Sequence, residues 1–169
     1  AHEVNKQIYL FFNPENQKNT YTGLYKYNSG QFEKINITED ISLIDISFMF
    51  PYRKDEILAG SPNQGLFIID NKGLKEFNAP VNEFLTKNRV NDGVKLSESK
   101  FAAATSGGII LFDRDGNIIQ IVNMASGMND EAINSLLLDK ALSLWSGTDN
   151  GISKAEINWP LSYLNNKTS

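Results

Sequence analysis

The chain has 169 residues, of which 41% are apolar and 21% are charged, and its formal net charge is −4. This composition is typical of a globular unit with a buried core, and no apolar run is long enough to cross a bilayer. Because cysteine is absent, disulfides, thiolate catalysis and cysteine-bound zinc are excluded.

Glycine recurs along the chain at a nearly constant interval. One series precedes a leucine or isoleucine at intervals of 42, 43 and 43 residues: Gly23, Gly65, Gly108 and Gly151. A second series repeats every 43 residues: Gly30, Gly73 and Gly116. This period is typical of a β-propeller with one four-stranded blade per repeat. We predict an all-β propeller segment of about four blades, forming one domain or fragment with blades at approximately 1–40, 41–80, 81–125 and 126–169.

The first repeat differs from the others. Residues 8–12 match the second strand of a blade, and we predict no innermost strand before them, so that this blade is incomplete. A polar loop at 13–22 replaces the tight turn of the other repeats, and the remaining strands are predicted at 23–27 and 32–35. His2 is the only histidine, and we expect it to be disordered.

The second and third repeats contain short apolar runs that are separated by turn residues, as consecutive antiparallel strands require. In the second repeat the predicted strands are 44–48, 57–60, 66–69 and 74–77. The third repeat begins at Val90, and its further strands are predicted at 101–105, 109–112 and 118–121.

The fourth repeat has the clearest pattern. Its predicted strands are 133–138, 142–145 and 152–157, and an Asn-Gly pair at 150–151 favours a tight turn before the last of them. We expect Trp145 to pack between blades, because burial of an aromatic ring on a strand contributes strongly to a core.

Residues 133–157 resemble the two-component regulator propeller repeat. That repeat has an acidic turn, Leu-Trp, a small residue, Gly-Thr and Asn-Gly-Leu. The matching residues here are Asp139, Leu144–Trp145, Gly147–Thr148 and Asp149–Asn150–Gly151–Ile152. The third repeat departs from the pattern, with Ala102 in place of tryptophan and Ala104 in place of glycine.

This resemblance implies a function as well as a fold. Propellers of this family are typically the periplasmic sensor regions of bacterial membrane receptors, often hybrid histidine kinases, and many are associated with carbohydrate detection. The resemblance therefore implies a periplasmic, noncatalytic ligand sensor. The alternatives are a structural or protein-docking propeller and a carbohydrate-active lyase or hydrolase.

Open blade edges are a further expectation. Exposed edges invite pairing with another chain. The chain could be part of a larger propeller, close by a terminal strand swap, or pair two copies into one ring. We favour an excised segment, and we expect it to self-associate through the exposed edges.

Catalytic and metal-binding patterns are weak in this sequence. The turn at Asp113–Gly116 has the residues of a calcium loop, but a methionine stands where an EF-hand requires its last glutamate. Adjacent carboxylates such as Asp55–Glu56 are typical of solvated loops. We predict no catalytic residue, no metal and no cofactor, and without a basic cluster we expect neither nucleic acid binding nor membrane insertion.

One rim of a propeller holds the turns between second and third strands together with the links between blades. Amide and hydroxyl side chains on that rim suit a neutral polyol, such as a small carbohydrate. The predicted ligand-binding residues are Asn63, Gln64, Arg89, Thr105, Asn129, Asp149 and Asn150.

Overall fold

The structure is a computed structural model that describes residues 1–12, 23–35 and 45–155. These residues form antiparallel sheets in which consecutive strands pair, and the innermost strands of successive sheets lie against each other. This is the arrangement of a four-bladed β-propeller, so the predicted fold class is confirmed. No helix in the described part of the chain has the length and apolar composition that crossing a membrane requires.

The described strands fall into four blades. Blade 1 contains β1 (His2–Val4), β2 (Gln7–Phe12), β3 (Gly23–Asn28) and β4 (Gln31–Lys34). Blade 2 contains β5 (Phe48–Pro51), β6 (Ile57–Ser61), β7 (Gly65–Asp70) and β8 (Gly73–Glu76). Blade 3 contains β9 (Val90–Ser97), β10 (Lys100–Thr105), β11 (Gly108–Asp113) and β12 (Ile118–Val122). The three described strands of blade 4 are β13 (Ile133–Leu138), β14 (Leu144–Thr148) and β15 (Gly151–Ala155).

Helical structure in these ranges is limited to two links between blades. Helix α1 (Asn82–Leu85) joins blade 2 to blade 3, and a 3₁₀ turn (Met124–Ser126) joins blade 3 to blade 4. The loop predicted at 13–22 lies outside the described residues, as do residues 156–157 of the last predicted strand.

Blade 1 is complete, which corrects the prediction that it lacks its innermost strand. Strand β1 pairs with β2, and His2 stands opposite Tyr9. The imidazole of His2 is hydrogen-bonded to the backbone of Ile46, and burial lowers its pKa. The expected disorder of His2 is therefore also wrong. The sequence signal was weak because β1 has three residues, of which only Val4 is buried.

Two strands begin later than predicted. Strand β5 begins at Phe48, so residues 45–47 of the predicted strand are not part of it, and residue 44 lies outside the described residues. Strand β14 begins at Leu144 rather than at 142. Residues before β14 form a turn in which the Asp139 carboxylate accepts the Ala141 and Ser143 backbone N–H groups at 2.9 and 2.8 Å. Leu142 has a φ of 63° in that turn, so its side chain does not continue the alternation of the strand.

Every blade between two others is buried on both faces. In β6, Ile57 and Ala59 pack toward blade 1, whereas Leu58 packs toward blade 3. In β10, Phe101 and Ala103 pack toward blade 2. Two-sided burial is the reason that these second strands read as continuous apolar runs rather than as an alternation.

Aromatic rings fill the interface between blades 2 and 3. The Phe48 and Phe50 ring centroids are 4.7 Å apart, and those of Phe101 and Phe112 are 5.7 Å apart. Glycine makes room for this stack, because a Cβ on Gly60 or Gly93 would lie 2.2 or 2.5 Å from Phe48. The packing of the Phe48 ring thus depends on the absence of side chains at Gly60 and Gly93.

Candidate functional site

The turns of each blade alternate between two rims, because neighbouring strands are antiparallel. We call the rim that holds the β6–β7, β10–β11 and β14–β15 turns and the links between blades the link rim. The opposite rim holds the β1–β2, β5–β6 and β7–β8 turns.

On the link rim, blade 4 brings several predicted residues together. The Asn150 side-chain amide donates a hydrogen bond to the Asp130 carboxylate at 2.8 Å, and the Asn134 amide donates to Asp149 at 2.7 Å. Asn129 is exposed next to Asp130. These hydrogen bonds connect the β14–β15 turn to the start of β13, so they hold the local shape of the rim.

The other predicted residues on the link rim do not form one cluster. Asn63 and Gln64 are exposed in the β6–β7 turn, and Arg89 is exposed in the link before β9. Thr105 is fully buried. Its hydroxyl donates to the Gly108 carbonyl at 2.8 Å and accepts the Gly107 N–H at 3.1 Å, so Thr105 shapes its own turn and presents no group to solvent.

Polar side chains at the innermost strands join adjacent blades. The Ser47 hydroxyl donates to the Val90 carbonyl at 2.9 Å. One repeat later, the Asn91 amide donates to the Ile133 carbonyl at 2.8 Å. The two acceptors are 43 residues apart and the two donors 44, so similar contacts join two successive pairs of blades, but the donors do not occupy the same position of the 43-residue period.

A hollow of about 220 Å³ lies beside α1 and is lined by Pro80, Glu83, Phe84, Lys87, Asn88 and Ile118. Ligand sites usually enclose roughly 300–1,000 Å³. The hollow is therefore small for an organic ligand, and none of the predicted ligand-binding residues lines it.

A larger cleft lies between blades 1 and 2 and opens on the opposite rim. Its volume is about 590 Å³, which falls within the usual size of a ligand site. We call it the inter-blade cleft. It is lined by Val4, Asn5, Gln7, Tyr9, Lys26, Ile35, Asp55, Glu56, Ile57, Ile69, Asp70 and Asn71.

Both blades supply polar and apolar groups to the inter-blade cleft. On the side of blade 1, burial raises the pKa of the Tyr9 phenol, which therefore stays protonated at neutral pH. On the side of blade 2, the Lys75 ammonium lies 3.1 Å from Asp70 and 3.5 Å from Glu56. Hydrogen bonds from the Lys72 backbone N–H and the Lys75 side chain lower the pKa of Asp70.

In the turn that resembles a calcium loop, the carboxylate of Asp113 accepts hydrogen bonds from other residues of the same turn. Asp113 accepts the Asp115 and Asn117 backbone N–H groups at 2.9 and 2.8 Å, and the Asn117 side chain at 3.0 Å. This geometry is that of a hairpin turn closed by an aspartate. Within residues 1–12, 23–35 and 45–155, no group of three or more acidic or histidine side chains is placed to hold a metal ion.

Trp145 is 37% exposed on the face of blade 4 that points away from blade 3. Because this face would meet a following blade, the packing of Trp145 between blades stays a prediction. Its indole N–H donates to the Asp139 carboxylate at 2.8 Å, and this hydrogen bond lowers the pKa of Asp139. Leu144 and Ser146, on the other face of β14, are the residues buried against blade 3.

No protein-family model matches this sequence, and no curated protein matches it. Solved structures with a similar fold include the extracellular domain of BT4673 from B. thetaiotaomicron, a candidate one-component system. It has a TM-score of 0.63 and 21% identity, over 90% of this chain and 20% of that chain. The extracellular domain of BT3049, a candidate hybrid two-component system from the same organism, is also similar. It has a TM-score of 0.60 and 21% identity, over 78% of this chain and 19% of that chain.

A designed protein is also similar. The computationally designed protein Ika4 has a TM-score of 0.52 and 10% identity, over 80% of this chain and 79% of that chain. This chain spans about a fifth of the length of the two bacterial domains. It shares its fold with extracellular domains of bacterial one- and two-component systems, as the resemblance of its fourth repeat implies.

Proposed function

We propose that this chain is a noncatalytic ligand-sensing part of a bacterial two-component receptor, and that it lies in the periplasm. The observation that carries the proposal is its fold, which is similar to the extracellular domain of a candidate hybrid two-component system. A fold alone does not define a function. The site that we propose for the ligand is the inter-blade cleft.

The chemistry of the inter-blade cleft suits a neutral carbohydrate. The Tyr9 ring offers an apolar surface, and the Asn5, Gln7 and Asn71 amides offer both donors and acceptors. Asp55 adds a carboxylate that can accept hydroxyl hydrogens. Ligand sites commonly combine apolar walls with a few polar groups of this kind, which set the orientation of the ligand.

The carboxylates of the described residues are poor candidates for acid catalysis. A glycosidase keeps one carboxyl protonated near neutral pH by raising its pKa. The carboxyl groups with a shifted pKa here are all shifted downward: Asp70, Glu83, Asp113 and Asp139. This favours a sensor over the carbohydrate-active enzyme. A protein-docking propeller is the remaining alternative, and ligand binding distinguishes it.

Isothermal titration with a panel of neutral disaccharides and trisaccharides tests the proposal. We expect at least one sugar to bind the wild-type chain. Asp55→Asn and Asn71→Ala should each weaken that binding about tenfold, which corresponds to the loss of one buried hydrogen bond of roughly 1.4 kcal/mol. Both positions are turn residues on the opposite rim, and asparagine tolerates the positive φ of Asp55.

The matched control is the double variant Asn63→Ala and Gln64→Ala. These side chains are exposed on the link rim, and we expect them to leave the binding unchanged. If the control loses binding while the cleft variants keep it, the ligand site is on the link rim. If no sugar of the panel binds at millimolar concentration, the proposal of carbohydrate sensing fails.

A further inference from the structure

Lys75 contacts the wall that blade 2 contributes to the inter-blade cleft, although it does not line the cleft itself. Its ammonium is 3.1 Å from the Asp70 carboxylate and 3.5 Å from the Glu56 carboxylate, and both acids line the cleft. Glu56 lies in the β5–β6 turn, and Asp70 ends β7. One ammonium therefore joins the two chain segments that form this wall.

The two carboxylates are more buried than the ammonium that neutralises them. The side chains of Asp70 and Glu56 are 17% and 24% exposed, whereas that of Lys75 is 55% exposed. An ion pair between fully exposed side chains contributes little to stability. A carboxylate that is shielded from water depends more on its counterion, because loss of the partner leaves a poorly solvated charge. Lys75 therefore controls the charge of this wall.

Comparison with blade 3 shows that the turn at Asp70 does not require a lysine. One oxygen of Asp70 accepts two backbone N–H groups at 2.7 and 3.2 Å, and the other accepts the Lys75 ammonium. Asp113, 43 residues later, closes the β11–β12 turn in the same way, but its second oxygen accepts the Asn117 side chain. The residue 43 positions after Lys75 is Ile118. Blade 3 thus forms an equivalent turn without the ammonium, so the lysine of blade 2 has a different role.

The charges of the inter-blade cleft are unevenly divided between its two blades. Three carboxylates line the cleft, and all of them belong to blade 2: Asp55, Glu56 and Asp70. Among the described residues that line it, the only lysine is Lys26 of blade 1. Without Lys75, the wall of blade 2 would present uncompensated negative charge, which favours a cationic ligand. With Lys75 in place, much of that charge is neutralised.

We propose that Lys75 determines the ligand selectivity of the inter-blade cleft, as a positioning residue that holds Glu56 and Asp70 and disfavours sugars with a protonated amino group. This inference rests on the proposed function, in which the cleft binds a neutral sugar. An ammonium in the wall opposes an ammonium on the ligand, because like charges brought close together weaken binding. The two carboxylates that Lys75 holds stay in place as acceptors for sugar hydroxyl groups.

Lys75→Met tests the proposal, because it removes the charge and keeps an unbranched side chain. We expect the variant to fold, since Ile118 shows that a blade accepts an apolar residue at this point of the repeat. In isothermal titration at slightly acidic pH, the variant should bind diglucosamine, a disaccharide with two amino groups, about tenfold more tightly than the wild-type chain does. The N-acetylated form of the same disaccharide is uncharged and should gain nothing.

The charge of the wall is measured without any sugar through the Asp70 carboxyl group. Hydrogen bonds from the Lys72 backbone N–H and from the Lys75 side chain lower the pKa of Asp70. Removal of the second of these bonds should raise that pKa in Lys75→Met. Carbon-detected nuclear magnetic resonance over a pH titration measures the change. Because this measurement requires no ligand, it tests the charge contact separately from binding.

Lys75→Arg and Lys87→Met are the controls. Arginine keeps the positive charge, and the exposure of Lys75 leaves room for the larger side chain, so this variant should keep the wild-type affinities. Lys87 forms an ion pair of 2.9 Å with Glu83 on α1, outside the cleft. Its replacement removes a lysine from a comparable pair and should change no affinity.

The outcomes separate this inference from the proposed function. If the wild-type chain binds no neutral sugar, the proposed function fails, and this inference fails with it. If neutral sugar binds but Lys75→Met gains no affinity for diglucosamine, only the selectivity role of Lys75 is overturned. An equal gain in Lys75→Arg or in Lys87→Met also overturns it, since the effect then does not depend on the charge at this position. An unchanged pKa of Asp70 in Lys75→Met overturns it as well.

Discussion

Phe101→Ala should lower the free energy of unfolding by about 3–5 kcal/mol, the usual range for loss of a fully buried phenylalanine. Phe101 is fully buried. Its ring lies 5.7 Å from that of Phe112 and 6.1 Å from that of Phe50. Removing it opens a cavity at the centre of the interface between blades 2 and 3. Urea unfolding followed by far-ultraviolet circular dichroism measures the change.

The control for this experiment is Ile118→Ala, which removes an apolar side chain that is 44% exposed. We expect a change of less than about 0.5 kcal/mol for it. Both variants are compared with the wild-type chain at the same protein concentration. An equal loss of unfolding free energy in the two variants would mean that blades 2 and 3 do not stack through this aromatic core.

Gly108→Ala should destabilise the fold by about 3 kcal/mol, because it combines backbone strain with overpacking. Gly108 has a φ of 113°, which L residues rarely adopt. A Cβ there would lie 2.5 Å from the Val122 carbonyl oxygen and 2.9 Å from the Asn123 Cβ. Relief of this clash requires the third and fourth strands of blade 3 to separate. Thermal unfolding measures the effect.

Gly151→Ala separates the two causes. Gly151 has a φ of 122°, and nothing lies within 4 Å of its missing Cβ. This variant introduces the backbone strain without a clash. It should therefore lower the free energy of unfolding by only about 1–2 kcal/mol. A Gly108 variant that is no less stable than the Gly151 variant would contradict the packing of β11 against the end of β12.

The periodic glycines explain why the fold could be predicted from the sequence. Gly65, Gly108 and Gly151 open the third strands of successive blades with a positive φ. That conformation is accessible to glycine at little cost. Since each blade needs the same turn, glycine is required once per repeat. The regular spacing of these glycines can therefore be seen in the sequence alone.

Strand boundaries were less predictable where local turn chemistry determines them. The run before Trp145 looks like an alternating strand in the sequence. In the structure, Asp139 accepts two backbone N–H groups and keeps residues 139–143 in a turn. The side chain of an aspartate thus competes with the strand pattern. Similarly, β1 is too short to produce a periodic signal.

The inter-blade cleft could not be predicted from the sequence. Its lining comes from three turns and five strands of two blades, together with Ile35 after β4, over a range from Val4 to Asn71. No local motif encodes such a site, because the groups meet only when the blades stack. The predicted ligand-binding residues lie on the link rim instead, because the residue types of the turns alone predict them.

The position of the cleft suggests how binding could produce a signal. A ligand between blades 1 and 2 contacts both blades at once, and it therefore favours the spacing at which both sets of contacts form. Such differential affinity for one arrangement is what a conformational signal requires. Strand β1 packs against β5 at this interface. A ligand in the cleft therefore acts on the position of the first strand relative to blade 2.

Binding without turnover is the central claim, and ligand-observed nuclear magnetic resonance tests it most directly. The sugar that binds in titration is incubated with the wild-type chain for one day. Saturation-transfer signals and the anomeric region of the sugar are recorded throughout. The account predicts a saturation-transfer signal that the Asn71→Ala variant loses, with no change in the sugar. New reducing-end or unsaturated-sugar signals, absent without protein, would contradict a noncatalytic sensor.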